Sequence, residues 1–142
     1  MSTLRETALK VIDAYNSWDL EKMMAVRAPE CIQEMRPGTL DLPGPMDNAS
    51  YEAFQKSIMT AFHTFHIEVL EIIEDTARNK VAIWAKSNAS SIIGPYENEY
   101  MLVFHMNEAG DKLVRLREFA DSAYALDFFP KLRAFKKPGA DA

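Results

Sequence analysis

An acidic side chain on an otherwise apolar strand face is the first sign of chemistry in this sequence. Residues 112–121, KLVRLREFAD, alternate as a β-strand, which places Glu118 on the same face as Val114, Leu116 and Ala120. A carboxylate facing an apolar interior without a partner has a raised pKa, because burial disfavours its charged form. Such a group can donate and accept protons near neutral pH. A structural hydrogen bond from a tyrosine or a helix terminus is the alternative interpretation.

The turn NEAGD predicts a hairpin between residues 96–106 and this strand. If Met106 pairs with Lys112, then Glu118 stands opposite Tyr100. This register predicts an inner face with candidate substrate-binding residues: Tyr96, Asn98, Tyr100, Leu102, Phe104 and Leu116.

Two further candidates for the apolar wall of a pocket are Met59 and Trp84, although packing in the core explains either side chain equally well. On the opposite face of the hairpin, Glu99 and Arg117 are predicted to form a diagonal cross-strand ion pair. The outer face therefore has a structural explanation, and the inner face has the candidate site.

His63 and Arg36 are the other candidate catalytic residues. His63 lies where the third helix meets the next strand, and its imidazole could transfer a proton near neutral pH; an ordinary surface histidine is the alternative. Arg36 could hold a carbonyl or a developing enolate, or it could pair with Glu34. His66 and His105 are predicted to be structural. The H-x-x-H spacing crosses a helix-to-strand change, so we predict no metal site.

Helix signals dominate the first part of the chain. Thr3 and Glu6 form a capping-box pattern that predicts a first helix. A short second helix, 18–26, is predicted to be capped by Ser17 and to be ended by Pro29.

The middle of the chain is predicted to be a strand, a loop and a third helix. The first strand is CIQEMR, residues 31–36, and the Pro- and Gly-rich segment 37–48 is a long loop that could act as a lid. The third helix is predicted to be capped by Asn48 or Ser50.

Four runs with period-two alternation follow and predict an antiparallel meander: residues 65–75, 79–90, 96–106 and 112–121. A short helix around 122–132 ends one domain, 1–135, and residues 136–142 are predicted to be a disordered polar tail. This order of elements predicts an α+β fold, in which N-terminal helices pack on a strongly curved, mainly antiparallel sheet and enclose a pocket.

Composition narrows the possible partners. The 142 residues are 48% hydrophobic and 26% charged, as in globular domains, and the net charge of -5 with no basic stripe disfavours nucleic acid. No apolar run has the ~20 residues of a membrane span, and the polar start MSTLRETALK lacks the apolar segment of a signal peptide. With the single cysteine Cys31, these features favour a cytoplasmic protein without disulfides.

The motifs AFHTFHIEVLEII, NKVAIWA and GDKLVRLREFAD, in this order, resemble the NTF2-like superfamily in its SnoaL-like branch. The last motif is also similar to the strand that carries the pocket acid of limonene epoxide hydrolases, which implies that role for Glu118 and a mostly structural one for Asp121. A His-Thr pair at His63 departs from the Pro-Asp pair that is frequent there. Because this fold has many activities, the resemblance alone does not define the reaction.

A more specific resemblance is to the small fungal isomerases of meroterpenoid biosynthesis, of the terretonin and austinol type. Arg36-Pro37-Gly38 and the segment GPYENEYM, residues 94–101, match motifs of those proteins. The resemblance implies a cofactor-independent isomerase or cyclase acting by acid–base chemistry on a polycyclic substrate, and a homodimer formed through the outer sheet face.

Two alternatives remain open at this point. A hydrolase or dehydratase would use the same pocket with a second polar group near Glu118, for which Asn88 and Asn98 are candidates. A non-catalytic ligand carrier or dimerisation module would have a pocket filled by its own aromatic side chains.

Overall fold

The computed structural model describes residues 3–40 and 42–141, with side chains described up to residue 135. In these residues four α-helices accompany one six-stranded sheet. The helices are α1 (Thr3–Asn16), α2 (Leu20–Ala25), α3 (Asn48–Met59) and α4 (Ser122–Asp141). The strands are β1 (Arg27–Arg36), β2 (Phe62–Asp75), β3 (Lys80–Ser91), β4 (Gly94–Tyr96), β5 (Glu99–Met106) and β6 (Leu113–Ala120).

The sheet has the order β1-β6-β5-β3-β2, and β4 pairs with β3 beside this path. The predicted α+β class with a curved, mainly antiparallel sheet is confirmed. The four-stranded antiparallel meander is present as β2-β3-β5-β6, but the predicted strand 96–106 is split into β4 and β5, and β1 joins the sheet by an unpredicted parallel pairing with β6. Parallel pairing between distant segments leaves no local turn signal in a sequence.

Helix boundaries differ from the prediction at their caps. Asp19 caps α2 in place of Ser17, and Asp47 caps α3 by accepting a hydrogen bond from the Ser50 backbone N–H. Pro29 does not end a helix but lies within β1. It is tolerated there because the ladder with β6 is interrupted between Arg27 and Ile32, and β1 is an edge strand.

The β5–β6 register differs from the predicted one by two residues. Glu118 lies opposite Leu102, not Tyr100, although a shift of two keeps the side chains of residues 115–120 on their predicted faces. A bulge at the hairpin end buries Leu113 completely and leaves Val114 only partly buried.

The core has two parts that leave a cavity between them. The apolar stripe of α1, with Leu4, Ala8 and Val11, packs on the inner face of the sheet. A second, mainly aromatic cluster contains Phe62, Tyr96 and Phe128 and anchors α4. The predicted disordered tail, 136–142, falls on residues whose side chains lie outside those described, and it stays a prediction.

On the outer face the predicted ion pair between Glu99 and Arg117 was wrong. Arg117 donates instead to Glu34 of β1, with 3.1 Å between Nε and Oε1, and Glu99 accepts from Trp84 Nε1 at 2.7 Å. Among the described helices we find none with the length and apolar character of a membrane span.

Candidate active site

A cavity of about 410 Å³ opens between the inner face of the sheet, the helices and the loop that follows β1. Its walls are mostly apolar, and its polar groups come from β1, the centre of the sheet, the inward faces of α1 and α3, and Ser122 and Arg133 of α4. Leu40, Leu42 and Pro43 of the predicted lid loop line it as well. A largely apolar cavity of this size with a few convergent polar groups is typical of a small-molecule site.

Glu118 is the one carboxylate that lines this cavity in the described residues. It lies between Met35 of β1 and Leu102 of β5 and is only partly accessible, through the cavity. We find no hydrogen bond or ion pair from Glu118 to any described residue. Desolvation therefore raises its pKa to about 7, so that both protonation states are populated near neutral pH.

The charge of Glu118 contributes to raising the pKa of four tyrosines, two of which, Tyr96 and Tyr100, lie in the sheet. Tyr100 Oη is hydrogen-bonded to Ser87 Oγ at 2.8 Å, and Tyr96 Oη accepts from Asn98 Nδ2 at 2.7 Å. Burial raises the pKa of Tyr96 to about 12 and that of Tyr100 further, and the charge of Glu118 adds to both effects. These phenols are therefore protonated hydrogen-bond donors at neutral pH.

The structure brings most of the predicted pocket residues to the cavity: Glu118, Arg36, Tyr96, Tyr100, Leu102, Phe104 and Leu116. Arg36 lies at the rim, and its guanidinium forms the ion pair with Glu34 that was one of the two expectations for it. A role for Arg36 toward a substrate stays a prediction.

His63 is not brought to the cavity. The register of β2 shifts between Phe62 and Thr64, so Phe62 and Phe65 point inward while His63 is exposed. An exposed imidazole outside the cavity cannot reach a substrate bound beside Glu118, and we do not retain His63 as a candidate.

Three predicted substrate-binding residues also lie outside the cavity lining. Trp84 is on the outer face and 40% exposed, because its neighbours Ile83 and Ala85 occupy the inward positions of β3. Met59 is the last residue of α3 and does not reach the lining. Asn98 is buried, and its amide is engaged by Tyr96 Oη and by the backbone N–H groups of residues 99 and 121.

The remaining histidines lie away from the cavity. His66 is exposed on β2. His105 is on the outer face, 3.3 Å from Arg117 Nη1, and desolvation, Lys80 and Arg117 lower its pKa to about 4. No group of three potential metal ligands occurs in the part of the chain that the structure describes.

Sequence reasoning missed the polar groups that the helices contribute. Tyr15 of α1 and Tyr51 of α3 line the cavity, and their hydroxyl oxygens are 2.6 Å apart. Each tyrosine lies among apolar residues that recur at helical spacing in its segment of the sequence. A tyrosine on an inward stripe is also a signal for a buried hydroxyl, which needs a partner.

Helices packed over a curved sheet around a cavity define the class: this is the NTF2-like cone, and a solved NTF2-like protein from Burkholderia pseudomallei has the same fold with a TM-score of 0.75. No family model matches the sequence. The austinoid biosynthesis clusters protein F of Penicillium brasilianum is 32% identical over 149 aligned positions, covering 100% of this chain and 98% of that protein. The chain therefore belongs to the family of NTF2-like, SnoaL-like proteins of fungal meroterpenoid clusters.

Two further matches concern activity. The crystal structure of the BvnE pinacolase from Penicillium brevicompactum matches with a TM-score of 0.88 and 29% identity, covering 95% of this chain and 96% of that chain. A protein named monooxygenase AacuP, from Aspergillus aculeatus, is 29% identical over 141 residues, 99% of this chain and 97% of that protein. These relatives support an NTF2-like enzyme of secondary metabolism that acts on a small molecule.

Proposed function

We propose that this protein is a cofactor-independent isomerase or cyclase that rearranges a ring of a polycyclic meroterpenoid by acid–base chemistry. The observation that carries the proposal is Glu118, a carboxyl group without a protein partner in the described residues and with its pKa raised to about 7, inside an apolar cavity of about 410 Å³. General acid–base catalysis is most effective when the pKa of the catalytic group lies near the working pH.

An isomerisation needs a proton to be removed at one position of the substrate and returned at another. Glu118 can perform both steps in turn, because its charged form accepts a proton and its neutral form donates one. The apolar walls hold a hydrocarbon skeleton, and Tyr100 can donate a hydrogen bond to a substrate oxygen beside Glu118. The product contains the same atoms as the substrate, so the reaction consumes no oxidant or reductant.

The relative BvnE, described as a pinacolase, supports this class of reaction. In a pinacol-type isomerisation the C–O bond of an epoxide breaks, and its oxygen keeps the electron pair and takes a proton from the neutral Glu118 carboxyl. A carbon substituent then moves to the carbon left electron-deficient, and a hydroxyl group on the neighbouring carbon loses its proton and becomes a carbonyl. One carboxylate in a water-poor cavity is sufficient to take that proton.

The direct test is turnover of a panel of polycyclic terpenoid lactones by the Glu118→Gln variant. We expect kcat to fall by at least about a hundredfold, because glutamine retains the shape of the side chain but cannot exchange a proton. Glu99→Gln is the matched control, since Glu99 is exposed on the outer face and bonded to Trp84. Full turnover by Glu118→Gln would eliminate Glu118 as the acid–base group.

The two alternatives from the sequence receive less support. A hydrolase would need a second polar group that helps Glu118 to activate water, but the Asn98 amide is already engaged and Asn88 is exposed on β3. A non-catalytic module is disfavoured because the protein's own aromatic side chains leave the cavity open.

The mass of the product also separates the proposal from an oxygenase: an isomer has the mass of the substrate, whereas a monooxygenase product gains an oxygen atom.

We further propose that the protein forms a homodimer through the outer face of the sheet. Trp84, Met101 and Phe119 are direct cross-strand neighbours there and are 40%, 38% and 41% exposed. Such a row of exposed apolar side chains favours a protein interface. Sedimentation equilibrium should give twice the monomer mass for the wild type and the monomer mass for Met101→Lys, with Glu97→Lys, an exposed position outside this row, as the control.

A further inference from the structure

Arg27, the first residue of β1, is a buried cation without a carboxylate partner among the described residues. Arg27 is only 6% exposed, and its guanidinium group donates hydrogen bonds to Asn48 Oδ1 at 2.8 Å and to Gln33 Oε1 at 2.9 Å. No described acidic residue forms an ion pair with it. A buried guanidinium held by neutral amides retains most of its positive potential, which in a low-dielectric interior extends to the groups around it.

The positive charge of Arg27 lies next to the wall of the cavity. The guanidinium carbon of Arg27 lies 4.4 Å from the centre of the Tyr51 ring, and Tyr51 lines the cavity. Arg27 Nη2 and Gln33 Nε2 have no hydrogen-bond partner in the described structure, so the cluster is not neutralised from within. The charge of Arg27 opposes the upward effect of burial on the pKa of both Tyr15 and Tyr51.

The two tyrosines form a hydroxyl pair that faces the cavity. Tyr15 Oη and Tyr51 Oη are 2.6 Å apart, and Tyr51 Oη donates to Gln55 Oε1 over a longer distance of 3.4 Å. A phenol has a single proton, so the Tyr15 O–H becomes available to a ligand when Tyr51 turns its O–H from Gln55 to Tyr15. Burial raises the pKa of Tyr15 to about 12, so the pair stays protonated and acts as a donor.

We infer that the Tyr15–Tyr51 hydroxyl pair, backed by the buried Arg27 guanidinium, binds the oxyanion that develops on the substrate. Tyr15 is the donor that contacts the substrate, and Arg27 is a positioning residue that strengthens this donor through Tyr51. The inference rests on the proposed function, because it assigns the group that stabilises the anion formed when Glu118 removes a proton. The ligand class is an enolate, an alkoxide or a phenolate, and negative charge in this part of the cavity is stabilised by hydrogen bonding and by the nearby cation.

The test uses 4-nitrophenol, whose bound phenolate is visible by absorbance, in the Glu118→Gln background, where no competing carboxylate is present. We expect the cavity to bind the phenolate in preference to the neutral phenol. Arg27→Met should weaken phenolate binding by about tenfold, because the hydroxyl pair loses the nearby positive charge, and Arg27→Lys should restore part of the loss. The uncharged 4-nitroanisole is the control ligand, and its affinity should be unchanged if the cavity is intact.

Tyr15→Phe is the second variant, used if Arg27→Met does not fold. We expect it to fold, because it removes only one partly exposed hydroxyl group. It should also weaken phenolate binding by about tenfold and leave 4-nitroanisole unaffected. The inference would be overturned if the folded Arg27→Met and Tyr15→Phe variants, both in the Glu118→Gln background, bound the phenolate as tightly as Glu118→Gln alone. This test is independent of the test of the proposed function, because phenolate binding needs no turnover. If the Glu118→Gln enzyme were fully active, the acid–base role of Glu118 would be eliminated, but the anion site could still be shown by phenolate binding.

Discussion

Two glutamates on the opposite faces of one sheet show how partners determine the chemistry of a side chain. Glu34 of β1 is buried on the outer face, and Glu118 of β6 faces the cavity on the inner one. Burial alone would raise the pKa of both. Hydrogen bonds from Arg115, Arg36 and Arg117 outweigh this effect at Glu34 and lower its pKa to about 2, whereas Glu118, with no such donor in the described residues, has a pKa of about 7.

The comparison separates a structural acid from a functional one. Glu34 is permanently charged at neutral pH and organises three arginines on two strands, so it joins β1 to β6. Glu118 has no partner among the described residues, at a cost in stability, and groups maintained at such a cost in a cavity are candidates for function.

The largest effect in this comparison is expected for Glu34→Gln. The change leaves Arg36, Arg115 and Arg117 without their shared carboxylate, which should reduce the free energy of unfolding by about 2 to 4 kcal/mol. The estimate is below that for a fully buried network because the arginine side chains are 36% to 37% exposed. Urea unfolding measures it, with Glu30→Gln, an exposed position on the same strand, as the control. A loss no larger than that of Glu30→Gln would show that the cluster contributes little to stability.

A smaller effect, of opposite sign, is expected at Glu118 and should depend on pH. Its folded pKa of about 7 lies above the ordinary value of 4.5, so the folded state holds the proton more tightly than the unfolded state. The stability that this provides is complete below pH 4.5 and is lost as the pH rises through 7. The loss should be about 2 kcal/mol, reduced from the full value because the carboxyl is partly accessible through the cavity.

Thermal and urea unfolding of the wild type and Glu118→Gln across this pH range measure the difference. The variant should be more stable than the wild type above pH 7 and nearly equal to it at the acidic end, because glutamine resembles the protonated acid. A difference that does not vary with pH would mean that Glu118 does not titrate in this window. Glu34, by contrast, stabilises the fold at neutral pH, and its contribution is lost only as the pH falls from 4.5 toward 2.

The two glutamates also mark how far the sequence is predictive. The inward direction of Glu118 follows from strand alternation, which holds even though the predicted register was two residues off. The partners of Glu34 on β6, Arg115 and Arg117, could not be predicted, because β1 pairs in parallel with β6 across most of the chain and no local pattern records such a contact. The same pairing explains why Arg117 was assigned to the wrong carboxylate.

Predictions failed for similar reasons within the candidate site. His63 was predicted to reach the cavity from its position where the third helix meets the next strand, but a register shift beside Phe62 leaves it exposed. Arg27 gave no signal, since a basic residue next to a short helix predicts an exposed side chain and its burial arises from tertiary packing alone. Strand alternation predicts which face a side chain takes on a regular strand, whereas it does not predict side chains at bulges and edges.

The smallest expected effect concerns Gly38, which follows the strand that carries Glu34. A Cβ at this position would lie 2.6 Å from Arg36 Nη1, so Gly38→Ala must displace the guanidinium. The arginine is flexible, and Glu34 retains Arg115 and Arg117, so we expect a loss of only about 0.5 to 1 kcal/mol in urea unfolding, the range of an exposed ion pair. If the Arg36 pair is the sole cause, Gly38→Ala should add nothing in an Arg36→Met background. A loss that persists there would show that Gly38 is required for the loop itself rather than for the Glu34 cluster.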